Sequence, residues 1–151
     1  MVLNILKYPH SILTKYCDTT ILPLSDQQKQ FCQDMVETMN FAGGIGLAAP
    51  QVGISESIIA IKTKQWGDLI LINPNIIQSS RKSFLSKEGC LSIPNKLVQV
   101  ARSEWVTISA QNMDGHSGTY YFSGIESACV QHEIDHLEGV LIIERNNNEM
   151  R

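Results

Sequence analysis

His132 and His136 stand four residues apart, with Glu133 beside the first, in Gln131-His132-Glu133-Ile134-Asp135-His136. On a helix, such positions project from one face about one turn apart. Ile125 and Cys129 continue the stripe, so the spacing predicts that both imidazoles face inward with the apolar residues. Two neighbouring buried imidazoles need their nitrogens satisfied. That demand constrains the fold more than any other feature: the helix is buried, and something polar meets it. A metal ion answers the demand, because two imidazoles at this spacing can reach one cation. Glu133 then leans over the open coordination position, where it can take a proton from water. Chance supplies roughly 0.006 H-E-x-x-H patterns in a chain of this composition. The bland alternative, two solvated surface histidines, fits the stripe poorly.

The rest of the chain supports one compact domain over residues 1–151. That length can bury a core without disulfides. Hydrophobic residues make up 43% and charged residues 18% of the chain, which excludes a disordered one. Apolar runs such as Leu69–Ile72 are far too short to span a bilayer, and the N-terminus has no signal-peptide pattern. A cytoplasmic location follows as an expectation, with free thiols at Cys17, Cys32, Cys90 and Cys129. The net charge of −3 argues against a nucleic-acid or membrane partner.

Ser25 and Gln28 have capping-box spacing ahead of an amphipathic helix carrying Phe31, Met35, Val36 and Met39, stopped at Gly43-Gly44. Ser123 and Glu126 repeat that spacing before the histidine helix, which Gly139 stops. Strands are expected at Ser57–Lys62, at Leu69–Ile72 up to Asn73-Pro74, at Trp105–Gln111, at Thr119–Phe122 and at Val140–Glu144, with a hairpin turn at Asp114-Gly115. The class is α+β: a single domain of largely antiparallel sheets around a central helix. Gly44–Gly53 reads as a loop where backbone approaches something closely. Taken alone, that loop is equally well a structural turn.

A catalytic metal site wants a third protein ligand. The residues leave Cys90, Cys129, Glu138, His10 and His116 open. Cys90 sits in Glu88-Gly89-Cys90-Leu91-Ser92, read as a turn that can present a thiolate.

Three segments in order resemble the peptide deformylase family: Gly44-Ile45-Gly46-Leu47-Ala48-Ala49-Pro50-Gln51, Glu88-Gly89-Cys90-Leu91-Ser92 and His132-Glu133-Ile134-Asp135-His136. The resemblance implies removal of the N-formyl group from formylmethionyl peptides, with metal-bound water attacking the formyl carbon and Glu133 as general base. It implies Cys90 as third ligand with His132 and His136, and one divalent ion, Fe2+ by preference over Zn2+, Ni2+ or Co2+. It implies that the Gln51 amide and the Leu91 backbone N–H donate to the developing oxyanion. An extended peptide would pair along Gly44, Ile45 and Gly46, its methionine entering a pocket of Ile45, Ala128, Cys129 and the His132 ring. Residue 128 is Ala where a larger aliphatic is expected. Glu88 and Asp135 are read as supports of the ligand histidines, Asp135 either accepting from a histidine or pairing with Arg102. Some members hold the peptide backbone with an arginine shortly after the cysteine segment. Leu97 occupies about that place, leaving Lys96 and Arg102 as substitutes.

The chain ends about a dozen residues after Gly139, without the long C-terminal helix of many bacterial members, and so resembles the short forms encoded by phages. Its expected partners are formylmethionyl peptides and, transiently, the ribosome and nascent chain; a monomer is expected. Two other readings remain in play. A metallopeptidase would need a downstream ligand, Glu138 or Glu144. An inactive binding module would have lost one of Gln51, Cys90, His132, Glu133 or His136, and all five are present.

Overall fold

The computed structural model describes residues 1–146 as one α+β domain. Seven strands form two antiparallel sheets. Strands β1 (Gly46–Ala48), β2 (Ile58–Thr63), β3 (Gly67–Ser79), β6 (Trp105–Gln111) and β7 (Ser117–Ser123) lie in that order in a five-stranded sheet. Strands β4 (Ser83–Cys90) and β5 (Ile93–Ser103) form a separate ribbon.

Strand β2 shows why the sheet needs two covers. Ile59 and Ile61 point to one face and Ile58 and Ala60 to the other, and all four are buried. On the first face they meet Val130, Ile134 and Leu137 of helix α2 (Gly124–Leu137). On the second they meet Cys32, Met35 and Met39 of helix α1 (Asp26–Phe41). A third cluster joins Val98 and Val100 of the ribbon to Leu13, Leu141 and Ile142. Helix α2 therefore lies between sheet and ribbon, which is the position a buried polar stripe demands.

The first helix starts as its sequence dictates: Ser25 Oγ accepts from Gln28 N, and Gln28 Oε1 accepts from Ser25 N. The second capping pair does not form. Glu126 instead accepts from the Lys64 backbone N–H, and Ser123 caps nothing.

Several expectations change. The Gly44–Gly53 stretch is not a plain loop but strand β1 followed by a 3-10 turn, Ala49–Val52. Asn73-Pro74 does not end β3. Asn73 takes a positive φ of 53° inside a bulge between Ile72 and Asn75, and its side chain bonds both backbone groups of Thr20. Val140–Glu144 is no strand: Ile142–Arg145 is a 3-10 turn packed on β5. The ribbon strands went unread because their inner face is so sparsely apolar, with β5 burying Ile93, Val98 and Val100 among exposed polar neighbours. No helix among the described residues is long and apolar enough to cross a membrane.

Candidate metal centre

Cys90 ends β4, and Glu88 stands two residues before it, so a pleated strand turns both side chains toward α2. The predicted turn at this segment is thus a strand end, with a register shift between Glu88 and Cys90. Cys90 Sγ lies 3.4 Å from His136 Nε2. The ligand atoms of Cys90, His132 and His136 all lie within 4.8 Å of one another. The other candidates fall away: Cys129 donates to the Ile45 carbonyl, Glu138 is exposed, His10 caps a 3-10 turn through Nδ1, and His116 is exposed.

Around these three atoms the charges are organised. The Nδ1 of His132 and Oε1 of Glu88 are 3.1 Å apart, a contact that fixes ring orientation and leaves Nε2 for a ligand role. Arg102, only 3% exposed, donates twice to Glu88, at 2.9 and 2.8 Å, and once to Asp135, at 2.7 Å. Asp135 therefore takes the Arg102 pairing, and Glu88 alone serves the histidine. Arg102 is committed and buried, so it is no substitute for a peptide-holding arginine, whereas Lys96 lines the cleft.

Burial alone would raise the Glu88 carboxyl, but the Arg102 and His132 hydrogen bonds outweigh it and hold it down at about 2. Burial would lower His132, yet Cys90 and Glu88 raise it to about 10. A cation at Nε2 would take that proton's place. Burial pushes His136 well below its ordinary value, leaving the neutral ring that a metal ligand needs. Burial pushes Glu133 up to about 7. Among the described residues, its Oε1 is buried without a partner, as is His136 Nδ1. A thiol, two imidazoles and an unpaired carboxylate oxygen suit a cation with three protein donors and one open position.

A cleft of about 890 Å³ opens onto this cluster. Gly44, Ile45 and Gly46 form one wall, and Phe84–Leu91 of the ribbon the other. Ala128, Cys129, His132 and Glu133 lie among its lining residues, as Gln51 does. Gln51 is fixed at both ends: its Oε1 accepts from Ala48 N at 2.9 Å, and its Nε2 donates to Ser92 Oγ at 3.1 Å and toward Cys90 Sγ at 3.7 Å. Ile125, expected on the buried stripe, is 74% exposed. In the first turn of α2, Ile125 lines the cleft instead. Sequence reading missed Ser92, and Arg145, which pairs with Asp135. Neither carries a spacing signal; both depend on tertiary placement.

A buried bis-imidazole and thiol cluster with a carboxylate beside it, set in a cleft, defines a metal-dependent hydrolase. Comparison with known proteins narrows the class: the family described as polypeptide deformylase matches residues 2–151. The chain belongs to that family of N-formyl hydrolases. A peptide deformylase of Dictyoglomus thermophilum is 44% identical over 122 residues, covering 81% of this chain and 78% of the relative. The peptide deformylase structure from Thermotoga maritima superposes with a TM-score of 0.92 at 34% identity, covering 97% of this chain and 98% of that one. A class I type b peptide deformylase from Acinetobacter baumannii, solved with Met-Ala-Ser bound, gives 0.90 at 32% identity, covering 96% and 98%.

Proposed function

We propose that this chain removes the formyl group from N-formylmethionyl peptides by hydrolysis centred on Cys90, His132, His136 and Glu133. The carrying observation is the cluster of three donor atoms within 4.8 Å, beside a buried carboxylate whose Oε1 has no partner. A divalent ion held by Cys90, His132 and His136 would polarise the formyl carbonyl and acidify a water. Fe2+ is the ion we assign, with Zn2+, Ni2+ and Co2+ as replacements; supply decides occupancy as much as ligand affinity.

Glu133 takes a proton from the attacking water and passes it to the departing amine nitrogen. Burial lifts its pKa toward neutrality, which suits a group that must both accept and return a proton. As negative charge grows on the formyl oxygen, the Gln51 amide and the Leu91 backbone N–H donate to it. The Ala48 N–H holds the Gln51 carbonyl and Ser92 takes one N–H, so the N–H aimed at the Cys90 sulfur, a long contact of 3.7 Å, is the one that turns to the oxyanion. The products are formate and a free amino terminus.

The peptide lies extended along Gly44, Ile45 and Gly46, its methionine beside Ala128, Cys129 and the His132 ring. Met-Ala-Ser bound to the Acinetobacter relative supports a ligand of that kind. Nascent chains on the ribosome, in the cytoplasm, supply such substrates, and we assign the enzyme a monomeric state.

The test is formate release from formyl-Met-Ala-Ser by protein reconstituted with Fe2+ under anaerobic conditions. Release should fall at least about 100-fold in Glu133→Gln with metal retained. Absence of release from metal-loaded protein would refute the reading and favour a peptidase or a binding module.

A further inference from the structure

The charge chain that begins at His132 does not end at Asp135. Arg145 Nε lies 2.6 Å from Asp135 Oδ2, and its Nη2 donates to Oδ1 at 3.0 Å. Asp135 is thus gripped by two arginines: Arg102, buried, and Arg145, 45% exposed. The path from solvent to a metal-donor ring is Arg145, Asp135, Arg102, Glu88, His132, and every contact in it is 3.1 Å or shorter.

The backbone delivers Arg145 to this place. Gly139, at φ +73°, turns the chain after α2, and Val140 N donates to the Asp135 carbonyl at 2.9 Å. Leu141 and Ile142 then sink into the cluster with Leu13, Ile93, Val98 and Val100. The 3-10 turn Ile142–Arg145 is therefore anchored at its start. An arginine on a loose tail loses side-chain freedom to hold such a pair; here two buried neighbours fix its backbone.

We propose that Arg145 is a positioning residue for the metal centre, acting through Asp135, Arg102 and Glu88 on the ring of His132. The inference rests on the reading that Cys90, His132 and His136 hold a metal. A two-bond guanidinium pair aligns a carboxylate as well as neutralising it. Among the contacts described, loss of Arg145 leaves Asp135 paired with Arg102, which is shared with Glu88. The guanidinium shifts toward Asp135, Glu88 loosens, and the His132 ring is less firmly oriented. Loss of a direct partner of a metal ligand costs about 10–100-fold in metal affinity. Arg145 acts at three removes, so a smaller effect is expected.

The experiment loads the protein with Co2+ and follows metal release into excess chelator. Arg145→Ala should release the ion about fivefold faster and alter the visible Co2+ absorption, with KM for formyl-Met-Ala-Ser unchanged. Arg145→Lys should fall between it and the parent, because one ammonium cannot span both carboxylate oxygens. Arg81→Ala, at an exposed arginine outside the charge chain, should match the parent. Parent-like release and absorption in folded Arg145→Ala would overturn the proposal. Should Arg145→Ala melt below the assay temperature, Arg145→Lys decides, and parent-like release from it overturns the proposal equally. Undiminished Co2+ affinity in Cys90→Ala would instead strike the metal-site reading itself, and the proposal with it.

Discussion

Gly46 occupies a place that no larger residue fits without disturbance. A Cβ there would stand 2.5 Å from Glu133 Oε2 and 2.8 Å from Cys129 Sγ. Glu133 is buried and cannot swing to solvent. Gly46→Ala should therefore lower kcat by about 100-fold, the scale of a misplaced catalytic group, while metal content stays at the parent level. An unchanged kcat would mean that the carboxylate is not held by its neighbours. The sequence marked Gly46 as a point of close approach but not what approaches, since Glu133 lies 87 residues further along. Asp68 adds a small contribution to acid stability. Asp68 is held below the usual carboxylate range by the Asn40 amide and then the Lys62 ammonium, against burial. A depressed folded pKa gives stability that is present above the unfolded value near 4 and lost as pH falls through the folded one. Asp68→Asn should thus cost stability at pH 6 and little at pH 2. Asp68 is 30% exposed and Lys62 45%, so the loss stays under about 1 kcal/mol. Melting curves across that range check it.

Among the elements, legibility followed local chemistry. Helix α1 was readable because its capping box is a contact between residues three apart. Ser25→Ala should cost about 1 kcal/mol, seen as a lower denaturant midpoint with unchanged slope. The matching signal at Ser123 and Glu126 misled, because Lys64 of the sheet claims the glutamate. Propensity could not foresee that competition. Strands β2 and β6 declared themselves by apolar content, whereas β4 and β5 hide behind exposed polar residues such as Lys87, Asn95 and Lys96. The same hiding made Cys90 look like a turn residue. Gly139 was legible as a stop, and its environment adds a reason: a Cβ would lie 2.6 Å from the Thr14 carbonyl oxygen, at φ +73°. Gly139→Ala should destabilise the fold by at least about 1 kcal/mol, and thermal melting would show it.

At the level of the whole molecule, the motif order told the family and the pattern of strands and helices told the α+β class, but neither told the division into sheet and ribbon. That division needs long-range pairing that no local pattern encodes. The metal centre straddles it, with one donor on the ribbon and two on the helix. Chelation should therefore lower the melting temperature by several degrees, and restoring the ion should recover it. The separation of 46 positions between Cys90 and His136 gives that arrangement a topological meaning. A cation joining them closes a covalent-like ring in the chain. On the loop-entropy account used for disulfides, a ring of that size withholds about 4 kcal/mol of freedom from the unfolded chain. The ion that serves chemistry would then also work as a reversible cross-link, set only after the ribbon has docked.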